Sequence, residues 1–416
     1  MNEGRHGTDP NALSMSRHRR DRGESGERKP RVALVHDWLT GMRGGEKCLE
    51  VLCRAFPDAT LHTLIHRRGS TSPDIERMRI RTSPLQYLPG VHRRYRSLLP
   101  LMPAAASTWR VGEVDLVVSL SHCVAKAVKV PRGIPHVCYC FTPMRYAWDG
   151  RDAYLDGWAE RPWRRRAASV ILDRMRAWDR SSAAGVTQFV AISETIRDRI
   201  ARCYGRESRT IQPPVDAGFY TPDGSARGED YLVVSALMPY KRIDQAVVAC
   251  TRLHRSLIVI GEGTERAKLE AMAGPTIQFL GWQSNEAIRG YYRRAKALLF
   301  PGEEDFGIVP VEAMATGCPV IALGRGGVAE NVDDAVGRLY AEPTVDSLVE
   351  ALIEWESDGE PHDPLEARRR AESLDLPIFR SRLLEQLDLS VGGGVPEHTA
   401  HSRGSRGISG PTRLIR

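Results

Sequence analysis

The chain is 416 residues long, 42% hydrophobic and 27% charged, with a formal net charge of +7. This length admits two domains with separate cores, and the composition is that of an ordinary soluble globular protein. No apolar run reaches the roughly 18–20 residues that span a bilayer, and no nucleic-acid motif accompanies the positive charge, which argues against a nucleic-acid partner.

Residues 1–29 are rich in Arg, Gly, Ser and Glu with almost no apolar side chains, so they are expected to stay disordered. They lack the apolar core of a secretory signal, and the expected location is the cytoplasm, with the inner face of the membrane as its variant. A strand is predicted at 31–36 (RVALVH), then a glycine-bearing turn and a helix opening near Gly45. Between Arg77 and Arg110 lie seven arginines and no acid. Within that stretch, 91–102 (VHRRYRSLLPLM) mixes cations with apolar residues as a helix on an anionic membrane would; its apolar side could equally pack on the core. Further strands are predicted at 116–120, 136–140 and 188–192. Between the last two, Arg161 to Arg180 holds seven arginines and two acids, a patch for anionic lipid or phosphate, or a solvated helix face. Ser193 is a suitable N-cap for a helix over 194–204.

The Pro-, Gly- and Asp-rich stretch 212–230 reads as a linker. Strand–helix alternation then restarts, with strands at 231–235, 257–260, 277–280, 297–300, 319–323 and 338–340, and helices between about 344 and 388. The predicted class is α/β, with two Rossmann-like, doubly wound parallel-sheet domains at 30–215 and 216–390 facing a cleft, and disordered tails at 1–29 and 391–416. The last helix could pack back on the first domain. The eight cysteines contain no paired C-x2-C set for zinc and sit mostly in apolar stretches, so they read as reduced, buried thiols.

The most informative segment is 304–312 (EDFGIVPVE). Glu304 is expected in a loop and Glu312 in a helix over 309–316, so the two can reach different parts of one extended ligand. Gly307 permits close backbone approach, and the unpaired N–H groups opening the helix can hold a phosphate. Lys241 and Arg242 follow the first strand of the second half, in 235–244 (SALMPYKRID), and Gly261-Glu262-Gly263 follows strand 257–260. In the first half, Gly44 and Gly45 open a helix after the first strand, where their amides could approach a diphosphate across the cleft. His122 ends the run 116–121, and a neutral imidazole there can both donate and accept.

The order and spacing of 279–282 (FLGW), 291–295 (YYRRA), 299–301 (LFP), 304–312, 313–322 (AMATGCPVIA), Gly326-Gly327 and 330–332 (ENV) closely resemble the donor-binding signature of the retaining glycosyltransferases of family four, which have the GT-B fold. Similarity runs from residue 31 to about 388, and 36–47 (HDWLTGMRGGEK) looks like a bacterial subgroup. The resemblance implies that Glu304 contacts the donor sugar near its 3- and 4-hydroxyls. Phe306, Gly307 and Ile308 would offer backbone groups to sugar and phosphate, and Glu312 would bind the ribose hydroxyls. Lys241 would grip the diphosphate, Gly261 would lie near the base, and His122 would line the reaction centre. The arginine that the family carries five residues before this lysine falls on Ala236, a departure for which Arg242 is the candidate substitute. Relatives often carry His where this chain has Phe141, and Arg145 and Trp148 are candidates to face the acceptor.

The implied activity is retaining transfer of a hexose from a nucleoside diphosphate sugar, such as GDP-mannose or a UDP-hexose, to an acceptor hydroxyl. The subgroup leans toward mannose. The acceptor would be a glycan or lipid-linked glycan in cell-surface glycan or glycolipid synthesis, with peripheral contact to anionic membrane. No metal and no further cofactor are implied. A non-catalytic sugar-nucleotide-binding protein and a sugar-nucleotide epimerase are alternatives on the same fold. An NAD-dependent oxidoreductase is disfavoured, because Gly41, Gly44 and Gly45 do not make G-x-G-x-x-G after the first strand.

Overall fold

Strand runs that are apolar at every position need cover on both faces. In the first of them, Val32 and Leu34 enter one core and Ala33 and Val35 another. The computed structural model, which describes residues 30–156 and 161–392, shows how that cover is supplied. The first parallel sheet contains β1 (Val32–His36), β2 (Thr60–Thr63), β3 (Arg79–Thr82), β4 (Leu116–Ser121), β5 (His136–Cys140), β6 (Gln188–Ala191) and β7 (Ser208–Thr210), in the order β3-β2-β1-β4-β5-β6-β7. The second contains β8 (Tyr231–Val234), β9 (Leu257–Ile260), β10 (Ile277–Gly281), β11 (Leu298–Phe300), β12 (Val320–Leu323) and β13 (Gly337–Tyr340), in the order β10-β9-β8-β11-β12-β13.

Both sheets are doubly wound from a central first strand. The chain runs outward from β1 to β3 and returns to β4 beside β1; it does the same from β8 to β10 and back to β11. Each sheet therefore has a switch point, β1/β4 and β8/β11, where the loops at the strand carboxyl ends diverge and leave a crevice. The predicted strands are present to within a residue or two. β2, β3 and β7 were not anticipated: they are short and polar, and in the edge strand β3 exposed Arg79 and Arg81 alternate with half-buried Ile80 and Thr82.

The helix Glu194–Tyr204 is capped as expected, with Ile196 N donating to Ser193 Oγ at 3.2 Å, and it stops at Gly205 in the left-handed region. The last helix, Leu376–Gly392, leaves the second domain and lies on the first sheet. Its Phe379 ring meets Tyr139 of β5 edge to face at 5.7 Å, and Ser390 Oγ donates to Gln188 at 2.7 Å. This helix runs to Gly392, into the start of the predicted C-terminal tail. The rest of that tail, and the N-terminal one, lie outside the described residues. All eight cysteines are buried and unpaired.

The expected surface helix at 91–102 is not formed as such. A single turn Val91–Arg94 passes into a 3-10 stretch Tyr95–Leu101 and then the helix Met102–Ala106. Val91, Tyr95, Leu99 and Met102 are buried against the first sheet's helices, so the apolar side belongs to the core. No helix among the described residues is long and apolar enough to cross a membrane.

Two buried histidines tie the fold to pH. Desolvation, helped by Arg81, pushes His62 down to about 4. Desolvation also pushes His136 to about 4, against a bond to the Gly185 carbonyl. Both stay neutral when folded and charge at the ordinary histidine value when unfolded, so the unfolded chain binds more protons in between. Unfolding free energy is therefore expected to be flat above pH 6.5 and to fall as pH drops from there toward about 4. Urea melts across that range check it; a midpoint unchanged from pH 7 to 4.5 contradicts it.

Candidate functional site

The crevices at the two switch points open on one cavity of about 530 Å³. On the first-domain wall, β1 ends at His36, and the loop after it carries buried Asp37 and Trp38 before Gly44-Gly45 starts the helix Gly44–Ala55. On the second-domain wall, β8 ends at Val234 and is followed by Ser235, Ala236, Tyr240 and Lys241. β11 is followed by Glu304, Asp305, Phe306 and Gly307, with Ile308 opening the helix Ile308–Ala315. Two helix N-termini, one from each domain, thus face the same space. A Cβ on Gly44 would stand 4.0 Å from Ile308 Cδ1, and one on Gly45 would crowd the Phe141 ring at 3.2 Å. Amide groups at such ends lack helical partners and carry the positive end of the helix dipole, which makes the pair an anion-binding arrangement. Gly307, at φ +86°, adopts the left-handed conformation that lets the loop enter the helix so abruptly.

Of the residues singled out in the sequence, Gly44, Gly45, His122, Lys241, Glu304, Phe306, Gly307 and Ile308 all line this cavity. Lys241 Nζ contacts Glu304 Oε1 directly. Glu312 is not among the lining residues. It lies buried one turn further along its helix, where Lys47 of the first domain donates to it at 2.7 Å and Tyr292 at 3.4 Å. Gly261 also stands outside the lining. Its φ is +133°, and a Cβ there would fall 1.8 Å from the Ser235 carbonyl oxygen, so glycine is required for the turn after β9 to lie against the end of β8. Arg242 does not line the cavity. It sits at φ +52°, its side chain is 43% exposed, and its nearest carboxylate is Asp244 at 3.5 Å. Trp148 is pinned away from the cavity, donating to Asp179 at 2.8 Å, whereas Arg145 lines it.

His122 is held by a residue that the sequence reading had not singled out. The Asp37 carboxylate, fully buried, accepts from the backbone N–H groups of His122, Cys123, Val124 and Ala125 at 2.6–3.0 Å. One of its oxygens also lies 3.1 Å from His122 Nδ1. Trp38 closes the other side, edge-on to the imidazole at 4.4 Å. Desolvation by these walls lowers the His122 pKa from 6.5, with Asp37 opposing it, so the ring is neutral at pH 7. An aspartate directly after an apolar strand was the available signal, but its partners lie about 85 residues on. Beside it, His36 is buried with both ring nitrogens unpartnered among the described residues and faces Glu46 at 3.7 Å. Burial raises the Glu46 pKa, but the His36 contact together with a backbone hydrogen bond and the nearby His122 leaves it below its usual value.

The walls are joined by a second set of residues that sequence reasoning did not assign. Arg199, on the helix Glu194–Tyr204, donates to Asp305 at 2.6 Å and to Thr142 at 3.0 Å, and Ser193 Oγ donates to the Asp305 carbonyl at 2.6 Å. Glu330 of the second domain accepts from Glu194 N and Thr195 N, each at 2.9 Å, supplying the helix's remaining N-terminal acceptors. Among the described residues no three His, Cys, Asp or Glu side chains gather into a metal-binding group.

Two doubly wound domains whose switch points meet at one cavity define the GT-B class of glycosyltransferase folds. Residues 42–219 match the family model described as Glycosyltransferase Family 4, and residues 225–372 the model described as Glycosyl transferases group 1. The chain belongs to this family of group 1, family 4-type glycosyltransferases. Among solved structures, Anabaena Alr3699/HepE in complex with UDP superposes with a TM-score of 0.62 at 17% identity, over 86% of this chain and 99% of that one. Sucrose-phosphate synthase from Thermosynechococcus elongatus does so with a TM-score of 0.61 at 18% identity, over 86% and 100%. Both likenesses concern the fold. Among curated relatives, a GDP-mannose-dependent alpha-mannosyltransferase of Mycolicibacterium smegmatis is 36% identical over 95 residues, 23% of this chain and 25% of that protein. A D-inositol 3-phosphate glycosyltransferase of Saccharomonospora viridis is 29% identical over 197 residues, 39% and 46% of the two chains. The chain spans less than half the length of these two relatives.

Replacing Asp37 by alanine would orphan the amide groups it collects. The expected cost is about 3–5 kcal/mol of unfolding free energy, read from urea melts at pH 7. A loss below about 1 kcal/mol would show that the turn bearing His122 does not depend on this carboxylate.

Proposed function

We propose that the chain transfers a hexose from a nucleoside diphosphate sugar to an acceptor hydroxyl with retention of anomeric configuration, mannose from GDP-mannose being the favoured donor and a UDP-hexose the next. The observation that carries this reading is the convergence of Lys241, Glu304 and two helix N-termini on one cavity. An anionic diphosphate suits the amides of Gly44, Gly45 and Ile308 together with Lys241. Sugar hydroxyls suit the Glu304 carboxylate, which accepts two hydrogen bonds at once. In the same reading Phe306 and Gly307 lend backbone groups to the sugar, and Glu312, with Lys47 moved aside, takes the ribose hydroxyls. Gly261 keeps the turn near the base close to β8.

In this mechanism the bond between the anomeric carbon and the diphosphate oxygen breaks first, its electron pair leaving with the diphosphate. The acceptor oxygen bonds the anomeric carbon on the same face and passes its proton to a diphosphate oxygen. Neutral His122, fixed by Asp37 and Trp38, can hydrogen-bond the sugar beside the reacting carbon without adding charge. The protein contributes fixed positive potential and positioning, and no metal or further cofactor enters the scheme.

The acceptor side is read as meeting anionic membrane through the arginine-rich stretch 161–180 and not through a surface helix at 91–102. On the helix Pro162–Ser182, Trp163 is 70% exposed, Val170 and Ile171 are exposed, and Arg164, Arg165 and Arg166 stand among them. Trp163, Ala167, Ala168 and Ile171 line an apolar groove of about 270 Å³ against Leu99 and Pro100. Apolar and guanidinium groups together suit a phospholipid surface. The chain is expected to float with liposomes containing anionic lipid, less with neutral ones, and several-fold less after Trp163→Ser with Ile171→Ser. Equal recovery in all cases removes the membrane from the proposal.

The transfer itself is tested by incubating the protein with labelled GDP-mannose, UDP-glucose and UDP-N-acetylglucosamine and following nucleotide release and glycoside formation by mass spectrometry. One donor is expected to be consumed, with Lys241→Ala and Glu304→Ala each lowering turnover about 100- to 1,000-fold. Full activity in both variants overturns the site. A donor isomerised without acceptor would make the protein an epimerase, and binding without turnover would make it a sugar-nucleotide sensor.

A further inference from the structure

A departing nucleoside diphosphate concentrates at least two negative charges on two adjacent phosphates, and one lysine does not balance them. On the second-domain wall Lys241 is the one cationic side chain among the lining residues, and it is already in contact with Glu304, with Asp305 beside it. At the end of β8, where a cation would complete the pair, the lining residues are Ser235 and Ala236, neither of them charged. Arg242 is turned out to Asp244. A diphosphate site in this cavity therefore needs a cation from elsewhere.

We propose that Arg145, on the first-domain wall, is that second cation, reaching across the cleft to the phosphates beside Lys241; this rests on the reading of the cavity as a nucleoside diphosphate site. Three observations carry it. First, Arg145 lines the same cavity as Lys241, Ala236 and Glu304, and its side chain is 39% exposed there. Second, its guanidinium is held only by one long ion pair. Among the described residues it donates no hydrogen bond, and its nearest carboxylate oxygen, on Asp305, is 3.8 Å away. Asp305 does not depend on it, since Arg199 holds that carboxylate at 2.6 Å. The other first-domain arginine lining the cavity, Arg43, is the N-cap of the helix Gly44–Ala55, beside the helix-end amides and not in the turn after β5.

Third, the base of Arg145 is rigid although its head is not. Its carbonyl accepts from Trp148 N at 3.2 Å and Gly150 N at 2.8 Å, closing a tight turn after β5. Within that turn Trp148 Nε1 donates to buried Asp179, and Asp149 accepts from Arg199 at 2.6 Å and Arg202 at 2.8 Å. A fixed backbone bearing a loose, forked donor is what a bidentate phosphate contact requires. Arg145 takes no proton in the transfer; it stabilises the electron pair that arrives on the diphosphate, while the acceptor proton goes to a diphosphate oxygen.

The test is calorimetric titration of the full chain with UDP and GDP, and with UMP and GMP, alongside donor turnover. Wild type is expected to bind one diphosphate more tightly than its monophosphate. Arg145→Ala should lose about 10- to 100-fold in diphosphate affinity and less than threefold in monophosphate affinity. Arg145→Lys should fall in between. Adding Ala236→Arg to Arg145→Ala places a cation on the opposite wall at the vacant strand end and should recover most of the lost affinity and turnover, a rescue that a merely structural arginine would not give. If wild type binds no nucleotide, the diphosphate reading itself fails and takes this assignment with it. If wild type binds but Arg145→Ala binds the diphosphate equally well and turns over unchanged, the site stands and the assignment of Arg145 is overturned. Equal losses for mono- and diphosphate with no rescue by Ala236→Arg also overturn it.

Discussion

The two walls of the cavity keep their spacing because Asp305 is held from the opposite domain. Its carboxylate takes Arg199 and its carbonyl takes Ser193, so the loop carrying Glu304 is fixed by side chain and backbone at once. The adjoining carbonyl of Glu304 accepts from Gly327 N at 2.8 Å, which ties the loop back into its own domain. Arg199 is largely removed from water, and a cation in that position is tolerable only while all its acceptors remain: Asp305, Asp149 and Thr142. The set therefore behaves as a unit, and its charge-assisted bonds are stronger than the exposed ion pairs scattered over the rest of the surface. Glu330 adds a second cross-domain connection at the end of the same helix, three side-chain and backbone donors meeting one carboxylate.

Within this frame the cavity contains several carboxylates, and each has a counterpart. Glu304 meets Lys241, Asp305 meets Arg199, and Glu46 accepts from Arg43 N at 3.1 Å. Burying an isolated carboxylate would be costly, so pairing is what allows acids to stand beside an anion site at all. The Lys241–Glu304 contact has a particular consequence. A ligand that offers an anion to the lysine and hydroxyls to the carboxylate can exchange one set of partners for the other without baring either charge. The helix-end amides differ in kind, since their field is built into the backbone, although at the first helix Glu46 accepts from Arg43 N at 3.1 Å and offsets part of it.

Much of the fold was legible because the signals are local. Apolar runs such as 32–36, 116–121 and 136–140 have the length and bounds of strands buried on both faces, and Ser193 before an acid-started helix marked its own cap. The interior strand β2 escaped notice because its run TLHT holds a single strongly apolar residue, whereas the other two escaped because an edge position excuses them from being apolar. β3 and β7 lie at the sheet edges, where Arg79, Arg81 and Arg209 can reach solvent, and charged edges also discourage pairing with another chain. The segment 91–102 failed for a different reason. Its apolar residues Val91, Tyr95, Leu99 and Met102 are spaced as one helical face, but Pro100 interrupts the helix, and the chain buries that face along a tight 3-10 path instead.

The candidate site divides in the same way. Residues clustered within a motif were found, because a strand end followed by glycines and a helix start is written consecutively. Their partners were not, because partnership across a cleft is set by topology: Arg199 and Asp305 are 106 residues apart, Lys47 and Glu312 are 265 apart. The missing cation at Ala236 shows what this costs. A motif reading looks for a replacement within the motif and arrives at Arg242, next to Lys241. The backbone there is left-handed, and the turn into the following helix carries the side chain toward Asp244. Yet the strand ends of both sheets open on the same space. A charge absent after β8 can then be supplied by the turn after β5, a segment with which it shares no sequence proximity but one wall-to-wall distance.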